Sequence, residues 1–222
     1  MRGYWTYYLA WFVLAWALQY PWLLAGAVVF FLLRRYIPDP FTWFRTEARI
    51  RTLRIDIAAN PANLTSRRDL AVIYLQRLRP RAALRLLDEA RQREPENPEL
   101  LYLTGLARLR AGDALGSVEP LVASVHLDGK LRRGEPYLVA AEALMALRRW
   151  DDAVEALNLY GKLNKSSIEA CVRLARCNRE RGDKAAEKHA LDEGDATWHQ
   201  LPGFLRRQQW RWWLRGKTMR VL

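Results

Sequence analysis

Apolar residues are distributed very unevenly along this chain of 222 residues. The segment from Tyr4 to Leu33 contains no charged side chain. Beyond it, apolar residues recur every three or four positions among charged ones, which is the pattern of amphipathic helices. The pattern therefore predicts an apolar N-terminal segment, residues 1–36, followed by an all-α chain.

The apolar segment predicts a membrane anchor. It is longer than the ~7–15 apolar residues of a secretory signal, and no small-residue cleavage site follows it. Since ~20 helical residues span the hydrocarbon core, the segment is too long for an upright helix. Two arrangements stay open: one tilted span kinked at Pro21, or a short hairpin that turns at Gln19, Tyr20 and Pro21.

Basic residues after the anchor predict its orientation. Only Arg2 precedes the anchor, whereas many arginines follow it, so the positive-inside bias keeps the rest of the chain in the cytoplasm. The arginines that we expect at the membrane surface here are Arg34, Arg35, Arg45 and Arg49.

A basic juxtamembrane segment, 37–61, links the anchor to the rest of the chain. Pro38 and Pro40 break the first helix, and the pattern predicts a new helix over 41–59. We expect the stripe formed by Ile50, Leu53 and Ile57 to pack on the following helices, and the arginines to face lipid.

A period of about 34 residues organises the chain from 62 to 197. Small residues recur at Ala71, Gly105, Ala141 and Ala175, and glycine–aspartate pairs at 112–113 and 182–183 indicate turns between helices. Asn97 before Pro98 and the run Ser166 to Glu169, a capping box, predict helix starts. The predicted helix pairs are 64–97, 98–131, 134–167 and 168–197, the last with an atypical second helix.

This frame of small residues resembles the tetratricopeptide repeat, a helix–turn–helix unit of 34 residues. The resemblance implies a right-handed α-solenoid of three to four repeats, with a concave groove that takes peptides or partner helices. The whole layout is similar to that of bacterial membrane-anchored repeat proteins used in envelope assembly and its regulation. It implies a protein-binding scaffold at the cytoplasmic face of the bacterial inner membrane.

The resemblance also implies which residues line the groove, because the family uses first-helix positions that point away from the partner helix. Those positions here are Arg68, Tyr102, Leu106, Glu135, Glu142, Arg173, Arg176 and Arg179. The last three arginines recur every three residues, so they either grip an acidic peptide or phosphate or form a solvated face. The lysine and asparagine clamp of chaperone-binding members is absent from the corresponding positions.

The C-terminal segment, 198–222, mixes tryptophan with arginine. One interpretation is a capping helix with Trp198 and Phe204 in its core. The other is a helix at the membrane surface, where both residue types are favoured. The residues expected at the surface in that case are Trp210, Arg211 and Arg215.

The net charge of +12 allows anionic partners, and it supports a second hypothesis of a lipid-organising or lipid-sensing protein. No recognition motif supports a nucleic-acid partner. The three histidines have no second ligand at a telling spacing, and phosphate-binding or nucleophile motifs are absent, so we expect no enzyme, small-molecule substrate, metal or cofactor. Cys171 and Cys177 lie on different faces of one helix, which predicts free thiols.

Overall fold

The computed structural model describes Trp22 and residues 40–221, with side chains from 46 to 220. The chain divides into two units, Met1–Arg49 and Ile50–Leu222. The predicted anchor lies outside the described residues, Trp22 apart. Within the described residues, no helix has the length and apolar character that crossing a bilayer requires.

The described chain is helical, as predicted. Its α-helices are α1 (Pro40–Ala59), α2 (Leu64–Gln76), α3 (Pro80–Arg91), α4 (Pro98–Arg110), α5 (Ala114–Leu127), α6 (Glu135–Ala146), α7 (Trp150–Leu163), α8 (Ile168–Glu180), α9 (Lys184–Gln200) and α10 (Gly203–Val221). A short 3₁₀ turn, Leu131–Gly134, precedes α6.

Helices α2 to α9 pack as four successive pairs. Each even-numbered helix packs on the odd-numbered helix that follows it, and each pair packs on the next. The first helices of the pairs also contact each other, α2 with α4 and α4 with α6. This is the arrangement of a helical solenoid, in which each unit contacts only its neighbours.

The predicted small residues are buried between the two helices of each pair. Ala71, Ala141 and Ala175 are fully buried, and each shares a core cluster with a leucine sixteen positions later, on the second helix. Gly105 lies against the equivalent leucine of the second pair, Leu121. The leucines are Leu87, Leu121, Leu157 and Leu191. The frame of small residues is therefore a packing requirement of each helix pair.

The turn between the two helices of a pair needs a left-handed residue. Gly112 and Gly182 occupy it with φ of +92° and +77°, as the sequence predicts. The equivalent residues of the first and third pairs are Leu78 and Arg148, with φ of +56° and +58°. Left-handed backbone costs a side-chain-bearing residue ~1–2 kcal/mol, so these two turns are strained.

Helix starts agree with the sequence at one predicted site and differ at the other. The Asn97 side chain accepts hydrogen bonds from the amides of Glu99 and Leu100, at 3.0 and 3.1 Å. The capping-box prediction at Ser166 is wrong by one residue, because Ser167 caps α8 and accepts from the Ala170 amide at 3.2 Å.

The apolar stripe of α1 packs on the first pair, as predicted. Ile50 and Leu53 are buried in the same cluster as Leu70 and Tyr74. Arg54 Nη2 also donates to the Tyr74 hydroxyl at 2.8 Å. From Ile50 onward, α1 is thus part of the repeat core.

Helix α10 packs on α8 and α9 and closes the array. Trp198, at the end of α9, stacks on Trp213 of α10 with ring centroids 4.9 Å apart. The prediction that Phe204 belongs to the capping core is wrong: its side chain is 64% exposed, because it lies on the first turn of α10 and points outward.

Candidate functional site

The first helices carry a continuous charged surface, which we call the inner face. Its polar residues lie on α2, α4, α6, α8 and the turn before α6, and they connect neighbouring first helices through two chains of ion pairs. The members of the inner face are Arg68, Asp69, Glu99, Tyr102, Leu106, Arg110, Arg132, Glu135, Glu142, Glu169 and Arg173.

The first chain of ion pairs is centred on Glu99, in the first turn of α4. One carboxylate oxygen accepts from Arg68 Nη1 of α2 at 3.1 Å, and the other accepts from Arg132 Nη2 at 2.8 Å. Arg68 also pairs with Asp69 at 3.0 Å. Glu99 therefore connects α2, α4 and the turn before α6 by using both of its oxygens.

Arg132 lies over the ring of Tyr102, with its guanidinium carbon 5.3 Å from the ring centroid. Tyr102 is 1% exposed, so its ring forms the floor beneath Arg132 rather than an open surface. Burial, and next the Glu135 carboxylate, raise the pKa of the Tyr102 hydroxyl. The hydrogen bond from Arg132 to Glu99 raises the pKa of that guanidinium.

The backbone that carries Arg132 is strained. Arg132 and Arg133 are both left-handed, with φ of +46° and +60°, and Gly134 follows at +82°. This is the link where the 34-residue spacing lengthens by two residues. The ion pair with Glu99 and the cation–π contact with Tyr102 offset part of the backbone strain.

The second chain of ion pairs is centred on Glu142 of α6. Its oxygens contact Arg110 Nη1 of α4 at 3.4 Å and Arg173 Nη2 of α8 at 3.2 Å. Arg173 also pairs with Glu169, one turn earlier on α8, at 2.6 Å. The Arg173 side chain is 14% exposed, which makes it the least accessible charged group among the ion pairs around Glu142.

Each arginine of the inner face forms an ion pair with a carboxylate of the same face. Exposed ion pairs contribute only ~0–1 kcal/mol each, so the main effect is to hold charged groups in fixed positions. Helical spacing from the ion-paired residues places Val72, Leu106 and Leu138 on the same face, all partly buried. A bound segment would meet apolar side chains bordered by oriented charges.

The arginines predicted as one line on α8 lie in three environments. Arg173 is shared by two carboxylates and lies under Trp212 of α10, 5.3 Å from its ring centroid. Arg179 pairs with Glu187 at 2.7 Å and donates to the Met219 carbonyl of α10. Arg176 is exposed. Helix α10 thus covers the inner face at the fourth pair.

The residues that sequence reasoning missed are the charged partners of the predicted ones, namely Asp69, Glu99, Arg110, Arg132 and Glu169. Opposite charges at separations of 31 to 33 residues join neighbouring first helices or, for Arg132, the turn before α6. The pairs are Arg68 to Glu99, Glu99 to Arg132, Arg110 to Glu142 and Glu142 to Arg173. A search for opposite charges slightly less than one repeat apart would have found Glu99, Arg110 and Arg132, whereas Asp69 and Glu169 pair with neighbours on their own helices.

The structure describes only some of the residues that the sequence predicts at a membrane surface. Trp210, Arg211 and Arg215 are exposed on α10, and Arg49 is exposed on α1. Arg34, Arg35 and the side chain of Arg45 lie outside the described residues.

Both thiols are free, as predicted. Burial raises the pKa of each to about 11, so they are mostly protonated at neutral pH and poor nucleophiles. In the described part of the chain, no three His, Cys, Asp or Glu side chains group in a way that would hold a metal ion.

Comparison with known proteins supports the fold. No protein-family model and no curated protein matches the chain. Among solved structures, a crystal structure of MamA aligns with a TM-score of 0.64 at 16% identity, over 68% of this chain and 87% of that one. MamA from Desulfovibrio magneticus RS-1, residue 41 to the end, aligns with a TM-score of 0.57 at 18% identity, over 71% and 92%.

A further similar structure is that of YrrB, a TPR protein with an unusual peptide-binding site. It aligns with a TM-score of 0.60 at 13% identity, over 75% of this chain and 81% of that one. The fold of this chain is therefore of the tetratricopeptide-repeat type.

Proposed function

We propose that this chain is a non-enzymatic scaffold that binds a segment of another protein along its inner face. The observation that supports this most directly is the pair of ion-pair chains centred on Glu99 and Glu142, which orient charges across successive first helices. YrrB, which has the same type of fold, possesses a peptide-binding site, and this likeness adds support.

The matched charges narrow the class of partner. Arg173 already lies between Glu142 and Glu169, so a purely acidic peptide would have to compete with two carboxylates of the same chain. A segment that carries both charge signs can pair with Arg and Glu residues of the face while its apolar side chains cover Leu106 and Leu138. We therefore propose an amphipathic partner segment of mixed charge.

We also infer that the apolar segment Tyr4 to Leu33 holds the array at the cytoplasmic side of a bacterial inner membrane, with a role in envelope assembly or its regulation. The support is the absence of charge in that segment and the excess of arginine after it. Fusing a green fluorescent protein or an alkaline phosphatase to the C-terminus tests the orientation. Fluorescence without phosphatase activity agrees with a cytoplasmic array, and phosphatase activity contradicts it.

Photo-crosslinking in intact cells tests the binding face. We expect benzoylphenylalanine in place of Leu106 or Leu138 to capture the same protein, and in place of Leu115, exposed on α5, to capture none. Glu142→Gln should reduce capture from the inner positions, because Arg110 and Arg173 lose the group that orients them.

Glu119→Gln is the matched control, since it removes an exposed carboxylate from the second helix α5. Equal capture from Leu115, or equal loss of capture with Glu119→Gln, would contradict an inner binding face.

A further inference from the structure

Helix α10 separates its basic residues into two sets. It carries six basic residues and no acidic one. On the side that faces α9, Lys217 pairs with Asp195 at 2.9 Å and Arg220 with Asp192 at 2.7 Å. Arg206 Nε donates to the Trp198 carbonyl at 3.0 Å. All three basic side chains therefore have a polar partner on α9.

The other three arginines lie on the opposite side of the helix. Arg207, Arg211 and Arg215 are exposed at intervals of four residues, and no described carboxylate lies within salt-bridge distance of any of them. Their ring contacts are with tryptophans of the same helix, Arg211 with Trp210 at 5.6 Å and Arg215 with Trp212 at 4.6 Å.

Large apolar side chains lie on this side of the helix or, in the case of Trp210, at its edge beside Arg211. Phe204, Trp210 and Leu214 are 64%, 47% and 48% exposed, whereas Trp212, Trp213 and Met219 of the same helix pack on the core. We call these three residues and Arg207, Arg211 and Arg215 the outer face of α10. Unmatched arginines next to exposed aromatic and aliphatic groups are the composition of a helix that lies at a lipid interface.

The outer face is held in position by polar contacts behind it. Gln209 accepts from the Ile168 amide at 2.7 Å and donates to the Ser166 carbonyl at 3.0 Å, which ties α10 to the start of α8. Trp213 Nε1 donates to Asp195 at 3.1 Å. A bilayer would therefore meet a preformed surface rather than a segment that must fold on contact.

We propose that the outer face of α10 binds the surface of an anionic phospholipid bilayer. Arg207, Arg211 and Arg215 contact headgroup phosphates, which guanidinium groups bind in a bidentate manner, while Phe204, Trp210 and Leu214 enter the interfacial layer. A nucleic acid would satisfy the arginines but would leave Phe204 and Leu214 uncovered, so lipid is favoured. This inference is independent of partner binding at the inner face.

The test uses the full chain with benzoylphenylalanine in place of Leu214, reconstituted into vesicles of phosphatidylcholine alone or mixed with phosphatidylglycerol. The local crosslink is needed because the apolar N-terminal segment would itself hold the chain on any vesicle. We expect a lipid adduct, detected by mass, that is several-fold more abundant with phosphatidylglycerol and decreases at high salt.

Two matched pairs of substitutions test the arginines. Arg207→Gln with Arg211→Gln should lower the adduct roughly tenfold or more. Arg81→Gln with Arg85→Gln removes the same charge at the same spacing from the exposed side of α3 and should leave the adduct unchanged.

Three results would overturn the inference. They are equal adducts with and without phosphatidylglycerol, equal losses from the two arginine pairs, and crosslinking of position 214 to a second protein copy instead of lipid. Since crosslinks from Leu106 and Leu138 report the inner face separately, failure here would leave the proposed scaffold function untouched.

Discussion

Leu121 packs directly on Gly105, and a β-carbon at Gly105 would lie 2.5 Å from the Leu121 γ-carbon. The backbone oxygen of Ser117 would be 3.1 Å away. Leu121 is fully buried, so it has little room to move. The second pair thus approaches more closely than the other three, which accommodate alanine at the equivalent position.

This contact predicts that Gly105→Ala destabilises the fold. Overpacking costs ~1–3 kcal/mol, and the better helix propensity of alanine returns up to ~1 kcal/mol. We expect the free energy of unfolding, measured with urea, to fall by about 1–2 kcal/mol. Gly161→Ala is the control, because nothing lies within 4 Å of its β-carbon, and it should stabilise α7 slightly. Stabilisation by both changes would refute the packing account.

The left-handed turns make a second prediction about stability. Gly182→Ala should lower the free energy of unfolding by about 1–2 kcal/mol, because φ is +77° and only backbone strain changes there. Arg148→Gly should act in the opposite direction, by less than about 1 kcal/mol, since glycine also loses more entropy on folding. Thermal and urea unfolding of the two variants measure both changes. An unchanged free energy of unfolding for Gly182→Ala would show that a side chain at this left-handed position costs nothing.

The sequence predicts the fold well because the residues that define the repeat contact each other within a single helix pair. The small residue, the buried leucine sixteen positions later and the turn seven positions later all depend on one helix–turn–helix geometry. The pattern therefore survives even where the turn residue is Leu78 or Arg148 instead of glycine.

The inner face was predicted less completely, because its contacts join different pairs. Arg68, Glu142 and Arg173 were identified from family positions, but Glu99 and Arg132 are recognised only once the offset between neighbouring first helices is known. The exposure of Phe204 and the cap at Ser167 depend on how α10 docks, since Gln209 binds both the Ile168 amide and the Ser166 carbonyl.

Glu99 and Arg132 should be energetically coupled. A double-mutant cycle with Glu99→Gln and Arg132→Gln is expected to give a coupling of about 0.5–1 kcal/mol at low salt, and less at high salt. The Arg149–Asp152 pair, at 2.6 Å but about half exposed, is the comparison and should couple more weakly. Coupling for Glu99 and Arg132 that does not exceed this comparison would mean that the inner face is not organised by its ion pairs.

Asp195 makes the docking of α10 sensitive to acid. Its hydrogen bond with Lys217, and next that with Trp213, lower the pKa of the carboxyl below its usual value of 3.8. Because the folded-state pKa is depressed, the stabilisation is complete above pH 3.8 and is lost as the pH falls through the lower folded value. The stability difference between wild type and Asp195→Asn should therefore be constant at higher pH and shrink below that point. A difference that does not change with pH would contradict this role.

Hydrogen exchange with the captured partner tests the central claim most directly. After the partner segment has been identified by crosslinking and synthesised, amide exchange of the full chain is measured by mass spectrometry with and without it. We expect slower exchange in α2, α4 and α6, and unchanged exchange in α3, α5 and α7. Protection confined to the second helices, or to α10 alone, would contradict binding at the inner face.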